Sequence, residues 1–294
     1  MNTPQRPDPT PERPVAVVGA TGQQGGAVAR VLMAQGVPVR ALVRDPEAEQ
    51  AGQLADRGAE LAVVDLDDRA SVAAAFTGVS AVFAMASPTP DDGATGELAH
   101  GRVIADAAVT TGVENLVYSS VDGVDRNTGI PHFESKLEIE RYLLELGVPT
   151  TFVRPVFFMD NFARFMPPSE EDGTVIVRMP MPGDVPLQMI AAADVAQVSA
   201  VALLEPDRIA GGAVEIAGDE LTGEQIAAAY GDQRGLEGRY EALPTSVLDA
   251  DSKAMFEWFA ESPAYQGDFA ATRELDPQVM SFAEWLETSE GEGR

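Results

Sequence analysis

Cysteine is absent from this chain, which excludes disulfides and thiol chemistry. Histidine occurs twice, at His100 and His132, too rarely for a histidine-rich metal centre, so no metal site is expected. Lysine also occurs twice, at Lys136 and Lys253, against eighteen arginines. No apolar run approaches the roughly 18 residues of a membrane span, and the opening MNTPQRPDPTPERP lacks the apolar core of a signal peptide. Its five prolines predict a disordered leader over 1–13, and the closing ETSEGEGR reads the same way. A cytoplasmic protein is the expectation. Positive charge is scarce too: 47 acidic residues face 20 basic ones, for a formal charge of −27. Such a surface repels phosphate backbones and argues against a nucleic-acid partner.

What is present is an ordinary globular composition, 45% hydrophobic, with apolar runs alternating with helical patterns. Strands are predicted at 14–20, 38–44, 59–65, 80–86, 114–120 and 149–155, and helices at 26–36, 70–76, 96–112 and 131–147, with a further polar helix ending near Arg57. Continuous β-branched strands separated by helices imply a parallel sheet covered on both faces, a doubly wound Rossmann fold. Beyond Pro155 the rhythm loosens around prolines 167, 168, 180, 182 and 186, then returns with a helix at 193–206 and a strand at 212–218. The expected organisation is a Rossmann domain over 14–154, rejoined by 191–218, with a smaller substrate or partner region over 155–190 and 219–290. That smaller part reads as an α+β cap with helices at 222–230, 246–260 and 281–288.

The first strand runs into GATGQQGG, with Gly19, Gly22 and Gly25 spaced GxxGxxG before a helix. In that context Gly19 permits the turn, Gly22 lets backbone approach a pyrophosphate, and Gly25 lets the helix pack closely. The neighbouring Thr21, Gln23 and Gln24 belong to the same phosphate turn. The second strand ends in LVRDP, which places Arg44 where the 2′-phosphate of NADP would lie; Asp45 is the competing residue and would favour NAD. The balance favours NADP(H). Asp65 and Leu66 after the third strand, and Met85 and Ala86 after the fourth, are expected along the adenine side.

HFESK at 132–136 gathers one of two histidines and one of two lysines at the i, i+4 spacing of one helix face. Together GATGQQGG, LVRDP, YSSVDG, HFESK, RPVFFMDNF and MPGDVPLQMIAAADVA resemble, in this order, the NmrA-like family, a branch of the atypical short-chain dehydrogenases/reductases. The resemblance spans roughly residues 14 to 290. It implies that Lys136 matches the lysine of the superfamily's Tyr-x-x-x-Lys pair and holds the nicotinamide ribose, while His132 stands in place of the tyrosine. It also implies that Ser119 and Ser120 orient a substrate carbonyl, and that Pro155 to Asn161 pass over the nicotinamide with Phe157 and Phe158 walling the pocket. The helix N-terminus and Lys136 should both disfavour imidazolium, leaving His132 neutral at pH 7 with one hydrogen to donate. Two functions follow: an NADPH-dependent reductase of a small carbonyl, quinone or imine-like substrate, or a non-catalytic NADP(H) redox sensor. In the second, loops at 87–96 and 121–130 report to a regulatory protein partner. The oligomeric state is not legible.

Overall fold

The computed structural model describes residues 13–88, 91–261 and 263–289. The expected leader apart from Arg13, the tail beyond residue 289, and residues 89–90 of the loop at 87–96 lie outside these. The first half alternates strand and helix: β1 (Val15–Val17), α1 (Gln23–Ala34), β2 (Val39–Val43), α2 (Glu49–Asp56), β3 (Glu60–Val63), α3 (Arg69–Phe76), β4 (Ala81–Ala84), α4 (Gly93–Thr111), β5 (Leu116–Ser119), α5 (Pro131–Glu145) and β6 (Thr150–Pro155). Then come β7 (Phe157–Phe158), α6 (Asn161–Arg164), β8 (Ser169–Glu171), β9 (Thr174–Met179), β10 (Pro186–Ile190), α7 (Ala192–Leu204) and β11 (Ala213–Ile216). The chain ends in β12 (Asp219–Thr222), α8 (Gly223–Arg234), β13 (Glu237–Ala242), α9 (Ala250–Phe259), α10 (Phe269–Leu275) and α11 (Phe282–Ser289).

The central sheet has the order β11-β6-β5-β4-β1-β2-β3, and every pairing in it is parallel. Parallel neighbours need long crossovers, which the helices supply on both faces. Side-chain alternation along the strands divides the interior into two layers. Val15 and Val17 of β1 join α1, α2 and α7 in one, while Ala16 and its neighbour Val18 join α3 and α4 in the other. Helix α5 serves both, with Phe133 and Leu137 on one side and Ile139 and Leu143 on the other. No described helix is long and apolar enough to cross a membrane.

Late in the chain, β11 pairs in parallel with β6 at the edge of the central sheet. The strands of the smaller region are the part that periodicity did not place. β10 pairs with β7 and β12, and β9 with β8 and β13, in two three-stranded sheets. These strands are two to six residues long. Prolines fall between or at the start of them, and partners such as β9 and β13 are far apart in sequence, so no local period announces them.

Candidate functional site

A cleft of about 1160 Å³ opens at the carboxyl ends of β1, β2, β3 and β4. This is the crevice that open parallel sheets offer to ligands where the strand order reverses. Its floor is the turn from β1 to α1. Gly19 there has φ +66°, the left-handed region. A Cβ on Gly25 would lie 2.7 Å from the Val18 carbonyl oxygen, so no side chain fits between helix and turn. Gly22 occupies the N-cap of α1 and no side chain caps that end, which leaves helix N–H groups facing the cleft. The cradle fits a pyrophosphate-bearing ligand: its floor is backbone, and a side chain at Gly25 would force the turn open.

Gly19, Thr21, Gly22, Gln23, Gln24, Arg44, Asp65, Leu66, Met85, Ala86 and Phe158 all line this cleft. Asp45 does not. Its Oδ1 accepts the backbone N–H of Glu47 at 2.9 Å, a local turn that leads toward α2, so that oxygen faces the chain itself. Several expected residues lie off the wall. Phe157 is buried among Phe162, Phe256 and Phe259, because adjacent residues of β7 point to opposite sides and only Phe158 reaches the cleft. Pro155 is buried at the end of β6, where its carbonyl accepts the Asp122 N–H. Gly25 lies beneath the wall rather than on it. Ser119 donates to Gln24 Oε1 at 2.6 Å, tying the end of β5 to the phosphate turn, while the buried Ser120 hydroxyl has no hydrogen-bond partner.

HFESK falls on the first turns of α5, with Pro131 at its start. The N-cap Ile130 has no side chain to cap the helix. Asp251, on α9, supplies the missing acceptor: its Oδ1 takes the His132 backbone N–H at 3.0 Å, and its Oδ2 sits 2.5 Å from His132 Nδ1. A carboxylate only accepts, so Nδ1 carries the hydrogen and Nε2 of the neutral ring carries the lone pair. Burial holds the imidazole below its ordinary pKa; Asp251 pulls the other way, and Lys136 adds to the lowering. The close Asp251 contact is therefore a hydrogen bond from a neutral ring at neutral pH rather than an ion pair. The direction matches the sequence expectation, but its main cause is desolvation, and the one ring hydrogen is already committed. His132 does not line the cleft.

Lys136 is buried and also stands just behind the wall. Its Nζ donates to the Ala86 carbonyl at 3.1 Å and lies 2.7 Å from Oε1 of Glu97, a carboxylate with no solvent exposure. The Glu97 contact lacks hydrogen-bond alignment at Oε1, and at this distance the charge pairing dominates. Residues that sequence reasoning missed are Glu97, Asp251 and Arg164, the last on the cleft beside Phe158. His100 also lines the cleft and meets Asp67 at 3.2 Å. The loop at 121–130 is largely packed: Asp122 is fully buried, accepts the Gln266 N–H, and pairs with Arg126, which donates to the Ala264 carbonyl.

The sequence model of the NmrA-like family matches residues 11–290. An NAD(P)H azoreductase of Xenophilus azovorans is 32% identical over 242 residues, covering 82% of this chain and 80% of the relative. A (4-alkanoyl-5-oxo-2,5-dihydrofuran-3-yl)methyl phosphate reductase of Streptomyces griseus is 35% identical over 235 residues, covering 78% and 77%. Among solved structures, an NADPH-dependent quinone oxidoreductase from Escherichia coli, complexed with NADPH, superposes with a TM-score of 0.76. It is 25% identical, with 93% of this chain and 98% of that one covered. Nmra, a negative transcriptional regulator, superposes with a TM-score of 0.82 at 23% identity, with 97% and 99% covered, a likeness of fold.

Proposed function

This chain belongs to the NmrA-like family, and from that premise we propose that it is an NADPH-dependent reductase of a small carbonyl, quinone or imine-like substrate. The observation that carries the cofactor choice is that Arg44 lines the cleft while Asp45 is folded away into its own turn. A guanidinium at that place matches a 2′-phosphate, and the carboxylate next to it in sequence, Asp45, is off the cleft wall. Relatives at 32% and 35% identity are named as reductases, which supports an enzyme over a regulator; the likeness to a transcriptional regulator, at 23%, reaches the fold alone.

In this reading the Gly19–Gly25 turn and the open end of α1 hold the pyrophosphate, with Thr21, Gln23 and Gln24 around it. Arg44 takes the 2′-phosphate, Asp65, Leu66, Met85 and Ala86 flank the adenosine, and Lys136 serves the nicotinamide ribose from behind Ala86. Bound NADPH supplies a hydride. Phe158 and Arg164 form the side of the cleft left for the substrate, and Ser119, fixed through Gln24, and Ser120 lie at the end of β5. His132, which stands off the cleft wall with its neutral-form hydrogen on Asp251, supplies the proton as imidazolium through an intervening water. Asp251 holds the ring and stabilises the charge when it forms.

Wild-type protein should bind NADPH more tightly than NADH in a fluorescence titration. Arg44→Asp should weaken NADPH binding by roughly tenfold or more and leave NADH nearly unchanged, since it removes a charge pair and adds repulsion. Equal wild-type affinity for the two nucleotides overturns the cofactor assignment. Turnover is read as NADPH absorbance against quinones, azo dyes, carbonyls and imines. A protein that binds NADPH yet oxidises it with none of them would instead be a sensor.

A further inference from the structure

Lys136 is one of two lysines in a chain that otherwise builds its cations from arginine. Its ammonium is boxed in by groups from three elements. Glu97 of α4 faces it at 2.7 Å, the Ala86 carbonyl after β4 accepts one N–H, and the Tyr118 ring of β5 has its centroid 6.0 Å away. The Tyr118 hydroxyl is fully buried, and burial, reinforced by Glu97, pushes its pKa up, so it adds no charge. On α5 itself the nearest titratable neighbour is His132, neutral at ordinary pH. Glu140 pairs with Arg154. Among the described residues Glu97 is the one carboxylate in an ion pair with this cation, and its other oxygen is held by the Ser135 hydroxyl.

An ammonium has three N–H groups. One goes to Ala86 and one lies toward Glu97, and no acceptor among the described residues takes the third. Ala86 is itself cleft wall, and Gly96, the residue before Glu97, lines the cleft as well. We propose that Glu97 is the positioning residue for Lys136: its buried carboxylate, itself held by Ser135, fixes the ammonium behind Ala86 so that the third N–H is available to a ligand in the cleft. This rests on the reading of the cleft as the NADPH site.

Two lysines make the test direct. Protein labelled with [13C,15N]-lysine gives two side-chain signals, assigned with Lys253→Arg, because Lys253 lies exposed on α9 near Glu257. In Glu97→Gln the Lys136 ammonium protons should exchange with water roughly tenfold faster than in the wild type, and NADPH affinity should fall roughly tenfold. In a Lys136→Met background the Glu97→Gln change should cost no further NADPH affinity. An unchanged Lys136 exchange rate, or NADPH affinity unchanged by Glu97→Gln, overturns the inference while leaving the cofactor reading intact. Wild type that does not bind NADPH at all overturns both. If Glu97→Gln fails to fold, the wild-type ammonium signal decides. Lys136 N–H protons exchanging with water much more slowly than those of Lys253 support the pairing, and equal rates overturn it.

Discussion

With Nδ1–H committed to Asp251, His132 can donate a proton only after it has gained one. Turnover should therefore rise as pH falls below about 6.5, the ordinary histidine value, since burial sets the folded value lower still. Asp251→Asn removes the charge that pulls the value up, so the rise should move to lower pH. His132→Phe should abolish the limb while leaving NADPH affinity nearly intact. A wild-type rate that is flat with pH and survives His132→Phe would assign the proton to water. The placement of the glycine turn and Arg44 was legible in the sequence because it is local: a φ of +66° at Gly19 and a strand end are set by neighbours in the chain. Asp251 lies 119 residues from His132, and Glu97 is one of 47 acidic residues on an otherwise Ala- and Gly-rich helix. Nothing nearby marks either. Phe157 and Phe158 were legible as a pair, but which one faces the cleft depends on the register of a two-residue strand.

Helices α4 and α5 approach closely at Gly101. A Cβ there would lie 2.5 Å from Ile139 Cγ1, and Ile139 is fully buried. Gly101→Ala should cost about 1–3 kcal/mol in urea unfolding, and Ile139→Val should recover part of that in the double variant. Because Glu97 sits on α4 and Lys136 on α5, the same overpacking should also loosen their pairing. At the far end of the chain, Asp194 and Asp219 hold the start of α11, accepting the N–H groups of Met280 and Phe282. Burial raises the Asp194 pKa to about 7. The folded state then keeps a proton that the unfolded chain releases near pH 4, so this residue's contribution to stability falls as pH climbs from about 4 to 7. Asp194→Asn should raise Tm at pH 8 and flatten its decline between about pH 4 and 7; a steeper decline would contradict the assignment. The main helices and the sheet strands were read from periodicity, with edges off by a few residues. The paired sheets of the smaller region were not, since their partners are long-range.

At the scale of the molecule the dominant quantity is the charge of −27. Self-repulsion opposes compaction, and salt screens it, so Tm should climb between about 0.1 and 1 M salt. A flat or falling Tm over that range would show that local ion pairs, such as Arg154 with Glu140, outweigh the net field.

The contact between Asp251 and His132 also has a temporal side. Chains fold from the N-terminus as they leave the ribosome, about 5–20 residues per second. The glycine turn, Arg44 and Lys136 all emerge in the first half, whereas α9 follows only after β11 has closed the sheet edge. A nascent chain can thus form its nucleotide cradle seconds before His132 acquires its partner. The Asp251–His132 contact is therefore among the last to close, after the sheet and its glycine turn are complete.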